Sequence, residues 1–232
     1  MELLRITGLH AYYGDSHILH GVDFKVDRGE VVILLGRNGA GRTTTLKAIL
    51  GLVGARSGSV TIDGHEAIGL PPHKIARLGV GYCPEERGIY SSLTADENLF
   101  LPPQVAPGGM SVDDIFALFP NLKDRRATQG TRLSGGEQQM LAVARILRTG
   151  AKLLLLDEIS EGLAPVIVQA LSSMIHTLRD RGYTVVLVEQ NFRFALPLAD
   201  RFYVMEHGRI VDGFAASELQ GKLDMLNVRL GI

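Results

Sequence analysis

The stretch "GRNGAGRTTT" (residues 36–45) follows directly on the apolar run "VVILL". Its glycines can turn backbone N–H groups inward around phosphate oxygens, and a helix starting near Arg42 aims its positive end at the same point. Strand, glycine loop, then helix is the context such a loop requires. The candidate phosphate contacts are Gly36, Arg37, Asn38, Gly39, Ala40, Gly41, Arg42, Thr43 and Thr44, with the Thr43 hydroxyl placed to ligand Mg²⁺. Arg42 stands where lysine is usual. It keeps the charge but replaces a compact point charge with a bulkier planar fork, which can still pair with phosphate, often bidentately. Nucleotide binding is expected to survive the change, and placement of the terminal phosphate to shift.

A second group lies at "LLLLDE", where an apolar strand ends in Asp157 and Glu158. The carboxyl ends of such strands face the ligand crevice. Asp157 is the candidate to hold Mg²⁺ through water, and Glu158 is the candidate general base for an attacking water. A second carboxylate here favours hydrolysis over phosphate transfer, which must exclude water.

A third group is "LSGGEQQMLAVARIL" (133–147). Ser134 and Glu137 have the spacing of a capping box, and Met140, Leu141, Ala144 and Leu147 follow in helical rhythm. Gly135 and Gly136 weaken the first turn. They also leave N–H groups open at a helix N-terminus, which makes a second anion site. One chain then carries two phosphate-binding helix starts far apart in sequence. A head-to-tail pair of subunits brings them together, each glycine loop facing the partner's 134–137 segment across a shared ATP.

These groups need a scaffold. Buried strands are expected at 31–35, 153–156 and 184–188, since continuous apolarity fits a sheet covered on both faces. "ELLRI", "VDFKV" and "SVTID" alternate apolar with polar residues and predict shorter, half-exposed antiparallel strands. Between 86 and 145 the pattern predicts a helix capped by Thr94, a Pro/Gly-rich loop over 102–110, and a capped helix over 111–119 ended by Pro120. The expected organisation is α/β and a single domain. A nucleotide-binding core with a β-layer covers 1–85 and 146–232, and a helical insert covers 86–145.

Bulk properties narrow the class. Lys and Arg number 24 against 25 Asp and Glu, and no basic run occurs, so no nucleic-acid partner is expected. The single cysteine, Cys83, forms no internal disulfide, which suits a reducing compartment. "MELLRITGLH" lacks the apolar core of a signal peptide, and no apolar run nears the roughly 18–20 residues of a membrane span. A cytoplasmic protein is expected.

Taken together, these segments resemble those of ATP-binding-cassette (ABC) ATPases, over essentially the whole chain. "GRNGAGRT" is similar to the Walker A loop, "LLLLDE" to the Walker B strand and "LSGGEQQ" to the signature segment. The resemblance implies a P-loop NTPase core of ABC type with an antiparallel β-subdomain and a helical signature subdomain, using ATP and Mg²⁺. "SEGLAP" (160–165), "VEQN" (188–191) and the terminal "LGI" resemble the ATPase subunits of branched-chain amino-acid importers. Those importers pair two ATPase subunits under two integral membrane permease subunits, and a periplasmic or lipid-anchored binding protein delivers the substrate. The implied location is peripheral, on the inner face of the cell membrane. The second ATPase subunit is either a copy of this chain or a different one.

The same resemblance assigns further positions. Tyr13 matches an aromatic residue that stacks on adenine, with Tyr12 a rival. Glu85 in "GYCPEE" stands where the family has a Mg²⁺-touching glutamine. Gln190 stands where it has a histidine that contacts the terminal phosphate; a glutamine can donate a hydrogen bond but carries no proton. Ala164 replaces a usual aspartate, which suits the importer subgroup, while His207 lies too far along to replace the histidine. Ile89, Tyr90, Leu93 and Phe100 fall where the family receives a coupling helix of the permease, and equally suit local core. Two rival readings remain on the sequence: a regulatory module that scarcely hydrolyses ATP, which Arg42 favours, and an ABC ATPase outside transport. A lone cassette also suits some polysaccharide exporters.

Overall fold

The computed structural model describes residues 1–231, so Ile232, the last residue of the terminal "LGI", lies outside the described residues. The chain opens with a hairpin, β1 (Glu2–Tyr13) and β2 (Ser16–Asp27). β3 (Val31–Gly36) then leads through the glycine loop into α1 (Arg42–Ile49). β4 (Ala55–Ile62), β5 (His65–Glu66), α2 (Pro72–Ala76) and β6 (Val80–Cys83) follow. The middle is helical, with α3 (Ala95–Phe100), α4 (Val112–Leu118), α5 (Pro120–Asp124) and α6 (Gly135–Arg148). The chain continues through β7 (Leu153–Asp157), α7 (Pro165–Asp180), β8 (Thr184–Val188) and α8 (Phe192–Ala195). It closes with β9 (Arg201–Glu206), β10 (Arg209–Ala215) and α9 (Leu219–Leu230).

Two sheets form. One has the order β10-β9-β3-β8-β7-β6 and is parallel except where β10 runs back on β9. The other, β2-β1-β4-β5, is antiparallel throughout.

The continuously apolar strands send alternate residues to opposite faces. Ile33, Leu35, Leu154, Leu156, Val185 and Leu187 enter one core, with Phe116, Leu141, Leu147 and other residues of the helical segment. Val32, Leu34, Leu153, Leu155, Val186 and Val188 enter the other, with α1 and the apolar face of the antiparallel sheet. The helical segment therefore shares a core with the parallel sheet, and α6 runs through residue 145 without a break.

The structure differs from the sequence pattern in two places. β1 and β2 are each 12 residues long, longer than the alternating segments predict. The register shifts between Ile6 and Leu9, where Gly8 takes a φ of +54° and its N–H donates to Asp23 Oδ1 at 2.8 Å. Such a bulge disturbs the alternation without ending the strand. Pro120 also does more than stop a helix. α4 ends at Leu118, and Pro120 occupies the first turn of α5, where a missing N–H costs nothing. The caps follow the pattern: Thr94 and Ser134 both form complete capping boxes. Among the described residues no helix is long and apolar enough to cross a membrane.

One backbone staple holds the glycine loop to both sheets. Gly208, in the β9–β10 turn, donates its N–H to Ala40 O at 2.9 Å and accepts from His20 N–H at 2.8 Å. Its φ is +73°, and a Cβ there would lie 2.0 Å from Ile18 O. Gly208→Ala should therefore cost about 2 kcal/mol or more from the left-handed backbone alone. Thermal unfolding followed by circular dichroism should show a midpoint lower by about 5 °C or more, with weaker ATP binding by the refolded chain.

Candidate active site

The glycine loop bridges β3 and α1. Gly41 precedes α1 with a φ of +106°, and no side chain caps the helix. The N–H groups of the first turn are thus left for a ligand. Above them lies a depression of ≈ 440 Å³, lined by residues 38–44 with Glu85, Glu158 and Gln190. Arg42 and the carboxyl end of β7 meet at its floor.

Asp157, the last residue of β7, is fully buried. Its Oδ1 accepts from Thr43 Oγ1 at 3.1 Å and its Oδ2 from Tyr82 OH at 3.2 Å. Burial raises its pKa, and the two hydroxyls partly oppose that. Burial and the Asp157 charge raise that of the Tyr82 phenol, so it stays a donor.

Glu158 turns the chain sharply. Its φ is +47°, uncommon for a residue with a side chain, and its N–H donates to Val188 O at 2.9 Å. Both carboxylate oxygens are engaged. Oε1 accepts from Arg42 Nη2 at 2.7 Å, and Oε2 accepts from Gln190 Nε2 at 2.6 Å. Burial raises the Glu158 pKa, while the Gln190 hydrogen bond and the Arg42 charge pull it down.

Arg42 is 5% exposed, and its second arm, Nη1, donates to Glu189 O at 3.1 Å. The fork thus joins the glycine loop to the ends of β7 and β8, which a lysine ammonium could not do in the same plane. Burial lowers the Arg42 pKa, opposed first by Glu158.

Glu85 sits exposed on the rim. Tyr13 ends β1 with its side chain 47% exposed, whereas Tyr12 is stacked on His17 with ring centroids 4.2 Å apart. Of the two rivals, Tyr13 keeps an open ring face. The 134–137 segment forms its own cap, with Ser134 N–H on Glu137 Oε2 at 2.7 Å and Glu137 N–H on Ser134 Oγ at 3.3 Å. Among the described residues no hydrogen bond or ion pair joins it to the glycine loop. Gly136 has a packing reason as well, because a Cβ there would lie 2.8 Å from the Ile167 side chain.

The residues around Asp157 suit Mg²⁺. The donors are all oxygen, a carboxylate and a hydroxyl with a second carboxylate on the rim, as a small hard dication requires. No group of three or more His, Cys, Asp and Glu side chains converges as ligands among the described residues. Thr43 and phosphate oxygens of a nucleotide would complete such a set, the usual way Mg²⁺ is held.

Sequence reasoning passed over Tyr82 and Glu189. Glu189 is 2% exposed; its Oε1 accepts from Ser160 N–H at 2.9 Å and its Oε2 from Ser160 Oγ at 3.0 Å. It therefore holds the segment that follows Glu158. The available signal was an acid placed directly after the apolar run "VVLV".

Comparison with known proteins agrees with this geometry. The family model described as "ABC transporter" matches residues 19–161. The chain is 45% identical over 218 residues to the high-affinity branched-chain amino acid transport ATP-binding protein BraG of Pseudomonas aeruginosa, covering 90% of this chain and 91% of that protein. It is 34% identical over 239 residues to the lipopolysaccharide export system ATP-binding protein LptB of Haemophilus influenzae, covering 100% and 98%. A solved ATP-binding subunit of an ABC transporter superposes with a TM-score of 0.82 at 29% identity, covering 99% of this chain and 100% of that one.

Burial raises the Glu189 pKa from an ordinary 4.5 to about 7. An acid so shifted binds its proton more tightly when folded, so its contribution is greatest below the unfolded value and is lost as pH rises toward 7. Glu189→Gln keeps an acceptor for Ser160 and removes the titration. Relative to the parent, its stability should improve by up to ~3 kcal/mol between about pH 4.5 and pH 8, read from urea unfolding midpoints at both pH values.

Proposed function

This chain belongs to the ABC transporter family, and from that we propose that it is the motor subunit of an importer for branched-chain or related amino acids. It is an ATPase, and the open question is what its hydrolysis drives. The carrying observation is Glu158 beside the glycine loop, buried, turned inward and hydrogen-bonded to Gln190. Import of amino acids is favoured by the 45% identity to a branched-chain amino acid transport protein, against 34% to an export protein.

In this reading residues 36–44 cradle the phosphates of ATP and the open ring of Tyr13 stacks on adenine. Thr43, Asp157 and Glu85 would hold Mg²⁺, which would supply neutralisation of charge on the phosphate oxygens. The 134–137 segment of a partner subunit, a second copy or a different ATPase, closes over the terminal phosphate. Phosphate and Glu158 compete for one guanidinium. As Arg42 turns to the phosphate, Glu158 Oε1 is released to accept a proton from water, and Gln190 positions the reacting groups. Residues 1–85 and 146–232 act as core and 86–145 as signature subdomain, with the assembly peripheral to the inner face of the membrane beneath permease subunits. A substrate-binding protein outside the membrane supplies the cargo.

Two variants and one transport measurement test this. Glu158→Gln should bind ATP with little change and lose turnover by about a hundredfold or more, measured as phosphate release. Arg42→Lys should alter turnover more than ATP affinity; lost binding with unchanged turnover of bound ATP would contradict the role given to Arg42. Cells lacking the chain should take up labelled leucine, isoleucine and valine more slowly. Normal uptake together with impaired lipid or polysaccharide export would favour the exporter reading instead.

A further inference from the structure

The loop that follows β6 carries more than Glu85. Residues 84–88 form a tight turn, closed by Arg87 N–H on Pro84 O at 3.0 Å and Gly88 N–H on Glu86 O at 2.7 Å. Arg87 itself has a φ of +63°, a conformation that side-chain-bearing residues adopt rarely. The turn aims its side chain at the start of α6. Nη1 donates to Gln138 Oε1 at 3.0 Å. The Gln138 amide donates in turn to Gly130 O at 2.9 Å and Leu133 O at 3.1 Å, which pins the strand of chain leading into Ser134. The guanidinium nitrogens lie 3.3 and 3.4 Å from where a Cβ on Gly135 would sit.

The electrostatics of this contact are unusual. A cation at the positive end of a helix is disfavoured. Glu137, the acid of the same turn, pairs with Arg125 at 3.4 Å, and among the described residues Arg87 takes part in no ion pair. A guanidinium held there against repulsion, by a strained turn and a neutral amide, suits a surface that is to receive an anion.

We propose that Arg87 is a positioning residue for hydrolysis: through Gln138 it sets the 134–137 turn from the loop that carries Glu85. This rests on the reading of 134–137 as the contact to a partner's ATP. One short loop then reports on the chain's own nucleotide through Glu85 and presents the turn that closes on the partner's nucleotide. Arg87 touches no reacting atom in this scheme; it acts through Gln138 and Gly135.

The test uses the chain purified through a tag, in whatever assembly it forms, with phosphate release and ATP affinity measured separately. Arg87→Ala and Gln138→Ala should each lower kcat about tenfold, with ATP affinity within about twofold of the parent. The double variant should be no slower than Gln138→Ala alone, because that variant already cuts the Arg87 link together with the two carbonyl contacts. Arg87→Lys should recover part of the loss, and Arg87→Gln should recover less. A purely structural role would lower the melting temperature and leave kcat per folded molecule unchanged, which overturns the inference. So would additive losses in the double variant. Gly136→Asp, measured as kcat per folded molecule because a Cβ there also meets the Ile167 side chain, serves as the reference. If it abolishes turnover while Arg87→Ala does not change it, the inference fails and the reading of 134–137 stands. If Gly136→Asp leaves turnover intact, that reading fails and this inference fails with it.

Discussion

A buried guanidinium facing a buried carboxylate is the interaction on which the site depends. Arg42 and Glu158 are 4% and 8% exposed at the side chain and 2.7 Å apart. Without a ligand neither charge is well tolerated there alone, since removing one partner of such a pair leaves an uncompensated charge in a poorly solvated place. The pair therefore fixes the glycine loop relative to the end of β7 before any ligand arrives. In the proposed function the same low polarity makes the pair responsive. A phosphate brings more negative charge than one carboxylate, and an arginine fork can pair with it bidentately.

The scaffold leaves little freedom around that pair. β3, β7 and β8 lie side by side in the parallel sheet, so their carboxyl ends, carrying Gly36, Asp157 and the Glu189–Gln190 segment, emerge together. Each strand is clamped by cores on both faces. Local devices then set the detail. The Gly208 staple seats the loop, the Glu189–Ser160 contacts hold the chain after Glu158, and the positive φ of Glu158 turns its carboxylate inward. The first two are conditions for the third, because a strained backbone persists only where its surroundings over-determine it.

Much of this was legible in the sequence, and the reason is periodicity plus punctuation. Apolar runs marked β3, β7 and β8. Thr94, Ser111 and Ser134 marked helix starts, because capping is a local interaction between residues three apart. Less legible were features that depend on irregular backbone. The Gly8 bulge masked the length of β1 and β2, and Pro120 opened a helix as well as closing one. Tyr82 and Glu189 were harder to read as site residues, since each gains its role from a partner 75 or 29 residues away in sequence.

By itself, the sequence determined the elements and the chemical groups available: a glycine loop between strand and helix, two acids after a buried strand, and a capped glycine-rich helix start. These are encoded in neighbouring residues, so local physics suffices to read them. Only the tertiary structure decided how the groups engage one another. That Arg42 rests on Glu158, that Tyr12 is stacked and Tyr13 open, and that Arg87 reaches Gln138 all follow from packing between distant segments. Such contacts depend on shape and burial in three dimensions, which no short-range pattern records.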